Sequence, residues 1–335
     1  MIKRVTLADV ARQAGVSMQT VSRAVRNKDE ISTETRERIM AIVNELGYRP
    51  SGIARSLVTQ RTTTVGLMVP DIANPFFSEI ARGVEDTAYA HAYTLFLCNA
   101  AEDIEREKAA LNSLLEKQVD GVIICSPRLP ITDLLAYLEQ FYYAVVFNRD
   151  LSEDIDKVRL IYVDDQEGTR LAWDHFVLHG HQKIGMLAGP VQSWSSQKRV
   201  ASFRAACKSA GLDGCLELIQ HCMPTIAGGL EGTEQLLSDH PEITAILAFN
   251  DLVAIGALRV CQKLGRRVPQ DIEIIGSDDI PLASLMTPPL TSLHVPHRTL
   301  GVTVMQSLIQ LLNGEKPDPY RIIFHPELTL RCSAP

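Results

Sequence analysis

The sequence predicts a small all-α head followed by a large α/β body with parallel sheets, and three observations support this fold class. Charge is divided unevenly: residues 1–62 hold 11 basic and 6 acidic residues, a net charge of +5, whereas the other residues hold 22 and 34, a net charge of −12. Apolar residues in the head recur at helical spacing. Beyond Val65, apolar runs of strand length alternate with amphipathic segments, as in parallel sheets covered by helices.

Composition excludes several classes of protein. With 46% hydrophobic and 22% charged residues, the 335-residue chain is neither disordered nor collagen-like. No apolar stretch approaches the roughly 18 residues of a membrane span, and the basic start is followed by polar sequence instead of a signal-peptide core, so we expect a cytoplasmic protein. The seven cysteines show no paired spacing, so we expect reduced thiols, no metal and no cofactor.

The head has the pattern of a helix-turn-helix. Apolar residues lie at i, i+3, i+4 and i+7 within 7–14, and the same spacing recurs within 39–46. Thr6 is placed as the cap of the first helix, Gly15 supplies the tight turn, and Ser17 is placed as the cap of the second. Three short helices around one small core are therefore expected.

The second helix presents polar residues on the face away from its inward valines. Met18, Gln19 and Arg23 lie there, and in a helix-turn-helix this region enters the major groove. Gln pairs with an adenine edge and Arg with a guanine edge. The alternative is that these are solvated surface side chains. The head residues expected to contact DNA are Thr6, Ser17, Met18, Gln19, Thr20, Ser22, Arg23, Arg26 and Ser32.

The head and its exit resemble one family. The stretches 5–25, 46–50 and 54–57 are similar to the DNA-binding head and exit of LacI (lactose repressor) family regulators. The resemblance implies that residues 50–62 form hinge helices of a dimer in the minor groove. It places Ala54 and Arg55 against DNA and makes Leu57 the wedge between base pairs. Such a segment is too short to be helical alone, and a plain flexible tether is the alternative.

The body has strand candidates whose carboxyl ends are followed by polar and aromatic residues. Ligands bind at these ends in open α/β sheets, and aromatic rings beside carboxylates, amides and arginines suit a polyhydroxylated ligand. The acidic run 101–108 is expected to be a solvated helix start, Asp165 a helix cap and His181 structural. The main strand candidates are Thr64–Val69, Thr94–Asn99, Gly121–Cys125, Ala144–Asn148, Lys183–Leu187, Ala245–Phe249 and Ile272–Gly276.

The body also resembles the LacI family, through stretches 180–190, 250–257, 268–279 and 287–296. This implies a periplasmic-binding-protein-like (type I) effector domain, 63–335, after a head of 1–49 and a linker of 50–62. Lobe one is expected to comprise 63–161 and 293–321, and lobe two 162–292 and 322–335. The implied effector-binding residues are Phe76, Phe77, Asn148, Asp164, Trp194, Ser195, Arg199, Asn250 and Asp278, with residues 193–195 setting selectivity.

These observations predict a homodimeric transcriptional repressor that binds a palindromic operator and is controlled by a small effector. A neutral pentose or hexose is the favoured effector, and a purine corepressor is the alternative, since 54–57 and parts of the body also resemble the purine-repressor branch. A transporter's solute-binding protein is the rival from another class, but the basic head argues against it. An enzyme is disfavoured because the strand ends carry no G-x-S-x-G motif, phosphate-binding loop or metal-ligand cluster.

Overall fold

A computed structural model describes most of the chain and divides it into two compact units, Met1–Thr63 and Thr64–Pro335. Of the predicted DNA contacts, Arg26, Ala54, Arg55 and Leu57 lie outside the residues that the structure describes. The described residues are 5–25, 31–49, 56, 61–151, 153–316 and 318–335.

The first unit contains the predicted helix-turn-helix: α1 (Leu7–Ala14), α2 (Met18–Val25) and α3 (Thr33–Leu46). At the start of α1, the backbone N–H of Asp9 donates to the Thr6 hydroxyl at 3.4 Å, and the Asp9 carboxylate accepts from the Thr6 N–H at 3.0 Å. Apolar residues of the three helices close one core, whose buried members are Val10, Ala11, Ala14, Val21, Ala24, Ile39 and Val43.

The second unit alternates strands and helices around two six-stranded sheets. Its first half contains β1 (Thr64–Val69), α4 (Pro75–Ala90), β2 (Thr94–Asn99), α5 (Ile104–Glu116), β3 (Gly121–Cys125), α6 (Ile131–Gln140), β4 (Ala144–Phe147) and β5 (Val158–Val163). The second half contains α7 (Asp165–Leu178), β6 (Ile184–Ala188), α8 (Trp194–Ser209), β7 (Ile219–His221), α9 (Ile226–Asp239), β8 (Ala245–Ala248), α10 (Asp251–Lys263), β9 (Glu273–Asp278), β10 (Thr291–His294), α11 (His297–Leu312), β11 (Arg321–Phe324) and β12 (Glu327–Thr329). None of the described helices is both long and apolar enough to cross a membrane.

The strand order places two topological switch points in the unit. The first sheet has the order β11-β5-β4-β3-β1-β2, with every neighbouring pair parallel, and the second has the order β12-β10-β9-β8-β6-β7, with only β10 and β12 antiparallel. The order reverses at β1 next to β3 and at β6 next to β8. Ligands bind beyond the carboxyl ends of strands at such points.

The chain crosses between the sheets two or three residues later than the sequence predicted. The expected ends at 161, 292 and 321 correspond to Val163 at the end of β5, His294 at the end of β10 and Phe324 at the end of β11. Residues 162–163 and 322–324 thus belong to lobe one, and 293–294 to lobe two. Each strand continues until its ladder partner ends, and the pairing of β11 with β5 joins segments about 160 residues apart, which local sequence cannot reveal.

Two glycines allow helices α4 and α11 to pack with their backbones in close approach. A methyl group at Gly83 would overlap the carbonyl oxygen of Arg298, and one at Gly301 would overlap the carbonyl oxygen of Ile80. Because these obstacles are backbone atoms, neither helix can relieve the overlap by changing a rotamer.

Gly301→Ala should therefore destabilise the protein by about 1–3 kcal/mol, the usual effect of an extra methyl group in a packed core. Chemical denaturation of the full chain measures this. Gly214→Ala is the matched control, because its methyl group would meet only the Lys183 Nζ at 3.6 Å, an ordinary contact. Equal stabilities of the two variants would contradict the proposed close helix packing.

Candidate functional site

A cleft lies at the carboxyl ends of the strands of both lobes, as the strand order predicts. The space between its walls is about 760 Å³, open solvent included, and both lobes contribute walls. Eight of the nine predicted effector residues line it: Phe76, Phe77, Asn148, Asp164, Ser195, Arg199, Asn250 and Asp278.

Lobe one supplies an aromatic wall at the start of α4. Asn74 caps this helix, accepting the Phe76 N–H at 3.0 Å, and so fixes the two rings that follow. The rings of Phe76 and Phe77 meet edge to face at 5.0 Å, and His297 packs edge-on against Phe76 at 5.1 Å. Both phenylalanines are buried in the core of lobe one while also lining the cleft, so packing fixes the wall in place.

Arg199 is the buried cation of lobe two. Its Nε donates to Asp165 Oδ1 at 2.7 Å, its Nη1 donates to the Phe249 carbonyl, and its guanidinium carbon lies 5.1 Å from the centre of the Phe249 ring. Burial alone would lower the pKa of Arg199, but the carboxylates of Asp165 and Asp278 outweigh burial and raise it. The guanidinium therefore stays charged.

The prediction that Asp165 is a helix cap was wrong. The cap of α7 is Asp164, whose Oδ1 accepts the Glu167 N–H at 3.0 Å. Asp165 is the first helical residue and turns inward to Arg199. The sequence offered two adjacent aspartates, and only the long-range position of Arg199 decides which one it pairs with.

Asp278 is the second carboxylate beside Arg199. Burial raises its pKa to about 7; the Arg199 charge opposes this shift and the Asp165 charge adds to it. Its backbone has a φ of 101°, and Asn148 and Ser126, which directly follow β4 and β3 at the cleft, have φ of 53° and 44°. Non-glycine residues rarely adopt these conformations, and such strain concentrates at binding sites.

The side-chain amides of Asn148 and Asn250 make hydrogen bonds to the backbone around the cleft. Asn148 Oδ1 accepts the Val163 N–H at 3.0 Å and so ties the ends of β4 and β5. Asn250 Oδ1 caps α10 by accepting the Val253 N–H at 2.9 Å, while its Nδ2 donates to the Pro224 carbonyl at 3.2 Å. Both side chains are therefore held rigidly at the cleft wall.

A buried ion pair in lobe one also lines the cleft, and it was not predicted from the sequence. Arg128 Nε donates to Glu102 Oε2 at 2.7 Å and its Nη2 to Glu102 Oε1 at 3.1 Å, with both side chains almost fully buried. Glu107 accepts the backbone N–H groups of Arg128 and Leu129 at 2.8 and 3.0 Å. The expectation of a solvated run was thus wrong for Glu102 and Glu107, because their partners lie beyond β3.

Trp194, the ninth predicted residue, lines a neighbouring cleft instead. The Arg149 guanidinium carbon lies 5.4 Å from the centre of its ring, and Lys198 Nζ lies 4.7 Å from it. Arg149 follows β4 in lobe one and Trp194 begins α8 in lobe two, so this cation–π contact joins the lobes.

The candidate DNA-contacting face lies on α2. Met18, Gln19 and Arg23 are exposed on it, whereas Thr20 and Ser22 are half-buried. The hydroxyls of the three other predicted contacts hold helix starts: Thr6 caps α1, Ser17 Oγ accepts the Thr20 N–H at 3.1 Å, and Ser32 Oγ accepts the Thr35 N–H at 3.3 Å.

Two groups of histidines and carboxylates, within the part of the chain that the structure describes, bring ligand-type atoms within 4.8 Å of one another. One comprises His175, His179 and Glu273, and the other comprises Asp164, Glu167 and His325. No metal site was predicted from the sequence, because the third member of each group is distant in the chain: Glu273 lies 94 residues from His179, and His325 lies 158 residues from Glu167.

Comparison with known proteins matches both units to one family. Residues 6–51 match the lacI family of bacterial regulatory proteins, and residues 62–328 match the periplasmic binding proteins and sugar binding domain of the LacI family. Together the two matches cover nearly the whole chain.

Individual relatives match over their full lengths. The ribose operon repressor of Halalkalibacterium halodurans is 35% identical over 326 residues, 97% of this chain and 96% of the relative. The HTH-type transcriptional repressor PurR of Aliivibrio salmonicida is 34% identical over 328 residues, 98% of each chain. The solved lac repressor dimer bound to operator and the anti-inducer ONPF has a TM-score of 0.87 at 30% identity and covers 99% of each chain. The chain therefore belongs to the LacI family of bacterial regulatory proteins and is a DNA-binding transcriptional repressor with a periplasmic-binding-protein-like effector domain.

Proposed function

We propose that this repressor binds a near-palindromic operator as a homodimer and responds to a neutral monosaccharide. The observation that carries the proposal is the cleft, which combines an aromatic wall with a ring of carboxylates, amides and two paired arginines. Sugar hydroxyls both donate and accept hydrogen bonds, so such a mixed set of groups satisfies them. The apolar C–H faces of a sugar ring pack against Phe76 and Phe77.

Charge balance in the cleft favours a neutral ligand. Arg128 is paired with Glu102, and Arg199 is paired with Asp165 and lies near Asp278. Both arginines that line the cleft are therefore neutralised by protein carboxylates. A phosphate would have to displace one of these carboxylates or stay uncompensated, and burying an uncompensated charge is strongly unfavourable.

The walls of lobe two favour a sugar over a purine. Besides the apolar Pro224, Phe249 and Leu293, its contribution includes the hydroxyls of Ser195 and Ser277 and the carboxylate of Asp278. A flat purine would offer these polar groups fewer hydrogen bonds than a sugar ring, and burying polar groups without partners costs free energy. Known relatives include both a ribose operon repressor and a purine-type repressor, so the family alone does not choose between them.

In the head, we assign base contacts to Met18, Gln19 and Arg23 on the exposed face of α2. Thr6, Ser17 and Ser32 cap the three helices, so the N–H groups at these helix starts lie beside them and suit backbone phosphates. Thr20, Ser22 and Arg26 complete the phosphate-contacting set. Ala54, Arg55 and Leu57 are assigned to the minor groove, with Leu57 as the wedge.

Signalling then follows from an effector held by both lobes. Phe76 and Asn148 from lobe one and Arg199 and Asp278 from lobe two would contact it together, so binding favours one angle between the lobes. Coupling of about 1–3 kcal/mol per effector is enough to change operator occupancy usefully. Trp194 acts indirectly, through its contact with Arg149 across the lobes. We propose regulation without catalysis, in the cytoplasm.

Two substitutions should separate the two binding activities. Arg199→Ala should abolish the response to effector while leaving operator affinity without effector within about threefold, because the two sites are in different units. Arg23→Ala should weaken operator binding by about 1–3 kcal/mol, roughly 5–150-fold, while effector affinity is unchanged. Operator binding by fluorescence anisotropy and effector binding by calorimetry measure both.

Matched controls exist in the same elements. Arg204→Ala removes an exposed arginine of α8, and Arg12→Ala removes one of α1, so neither should alter its site by more than about twofold. If Arg199→Ala lost operator binding and kept effector affinity, the assignment of the two sites would be wrong.

Asp278→Asn should change stability and effector binding in opposite directions. Burial raises the pKa of Asp278 from 3.8 to about 7, so the folded protein loses stability as pH rises from about 4 to about 7 and this carboxyl ionises. The asparagine variant should therefore have a higher Tm than the wild type at pH 8, with a smaller difference at pH 5. Thermal unfolding at the two pH values measures this.

The same substitution should weaken effector binding, because a carboxylate acceptor is lost. Wild-type affinity should fall below about pH 7 as Asp278 protonates, and the variant should lack this dependence. A variant less stable than the wild type at pH 8 would refute the idea that the carboxylate is kept for binding at the expense of stability.

A further inference from the structure

Three histidines and a glutamate converge at the edge of the second sheet opposite the effector cleft. His175 lies in the last turns of α7, His179 follows four residues later as its C-cap, and Glu273 is the first residue of β9. Because the cleft lies beyond the carboxyl ends of the strands, a residue at the start of a parallel strand is on the far edge. The cluster is therefore separate from the effector site.

The side chains already lie close to the spacing of metal ligands. His179 Nδ1 is 2.9 Å from Glu273 Oε1, and the ring centres of His175 and His179 are 4.1 Å apart. One ligand atom each from His175, His179 and Glu273 lies within 4.8 Å of the other two. Tetrahedral ligands at about 2.0–2.1 Å from a zinc ion are about 3.3 Å apart, so His179 and Glu273 would separate slightly and the wider pairs would move closer.

Two buried ring nitrogens of the cluster make no hydrogen bond within the described part of the chain. They are Nε2 of His175 and Nε2 of His181. Buried polar atoms without partners are rare in folded proteins, and each calls for an explanation.

His181 supports the glutamate from the other side. Its Nδ1 is 2.9 Å from the Thr244 hydroxyl, which fixes the ring orientation, and its Nε2 is 3.3 Å from Glu273 Oε2. His179 Nδ1 also lies 3.1 Å from Glu273 Oε2, so both histidines contact this carboxylate, and His181 contacts it through Oε2 alone. A second histidine on the same carboxylate is placed to orient it, as an outer-shell partner of a metal ligand does.

We propose that His175, His179 and Glu273 bind a zinc ion, with His181 orienting Glu273 and water completing the coordination. Two imidazoles and one carboxylate are a ligand set that zinc uses, whereas calcium and magnesium prefer oxygen alone. The ion would fasten the end of α7 to the start of β9. The alternative is a histidine–glutamate hydrogen-bond network that binds no metal.

Metal binding to the full chain tests this site. Protein treated with a chelator and kept reduced should bind one zinc ion per chain by calorimetry, and zinc should raise Tm with concentration. Cobalt(II) should give visible absorption of four-coordinate character that equimolar zinc abolishes. Absence of saturable binding at one ion per chain would overturn the proposal in favour of the metal-free network.

Variants locate the ion. His179→Gln, at a partly exposed helix end, should weaken zinc binding by more than the roughly 10–100-fold that loss of an outer-shell partner causes. His181→Gln should stay within that range. Glu273→Gln should also weaken zinc binding and lower the visible absorption of bound cobalt(II). His91→Gln, at an exposed histidine of lobe one, should change neither.

His325→Gln tests the second cluster, in which His325 Nδ1 contacts Glu167. Zinc binding that survives both His179→Gln and Glu273→Gln but is lost in His325→Gln would overturn the assignment. Circular dichroism of each variant shows that its fold is retained, so that a loss of binding reports the site itself.

Discussion

The effector cleft depends on one buried interaction, the ion pair between Arg199 and Asp165 with Asp278 beside it. Through this guanidinium, α8 is joined to the start of α7, to the carbonyl of Phe249 after β8, and electrostatically to the end of β9. Removing one partner of such a buried pair costs about 3–5 kcal/mol, because a charge is left without compensation. Lobe two therefore presents its polar groups from a rigid frame.

Lobe one repeats this principle with Glu102 and Arg128. Their bidentate pair, braced by Glu107, holds the loop after β3 in place. Arg128 and Arg199, the two cations of the cleft, are thus both paired with protein carboxylates. Asp278 has a raised pKa and a strained backbone. A site with this charge pattern is suited to hydroxyl groups and poorly suited to a phosphate. The His297 ring links the lobes, since it contacts Phe76 and hydrogen-bonds to the Asp278 carbonyl.

Much of this site could be predicted from sequence because strand ends converge by a general rule. Buried strands were recognisable as apolar runs, and parallel strands bring their carboxyl ends to one edge, so the polar residues after each strand could be identified as candidates. The resemblance to the LacI family implied that residues as distant as Phe76 and Asn250 belong to one site. The helix-turn-helix could also be predicted from sequence, because its signals are local: the apolar spacing, Thr6, Gly15 and Ser17.

What the sequence could not provide were pairings between distant side chains. Glu102 was expected in solvent because its partner lies 26 residues away, and Asp165 was taken for a cap because Arg199 lies 34 residues away. Trp194 was predicted to line the cleft together with Ser193 and Ser195, which do line it. Its ring instead contacts Arg149. The histidine cluster was missed for the same reason, since His179 and Glu273 are 94 residues apart.

The most direct test of the central claim is a thermal-shift titration of the purified full chain with neutral pentoses and hexoses, sugar phosphates and purines. A ligand that binds only the folded protein raises Tm with concentration. The charge balance of the cleft predicts a dose-dependent rise with at least one neutral monosaccharide and none with its phosphate ester. A rise with sugar phosphates or purines alone would contradict it.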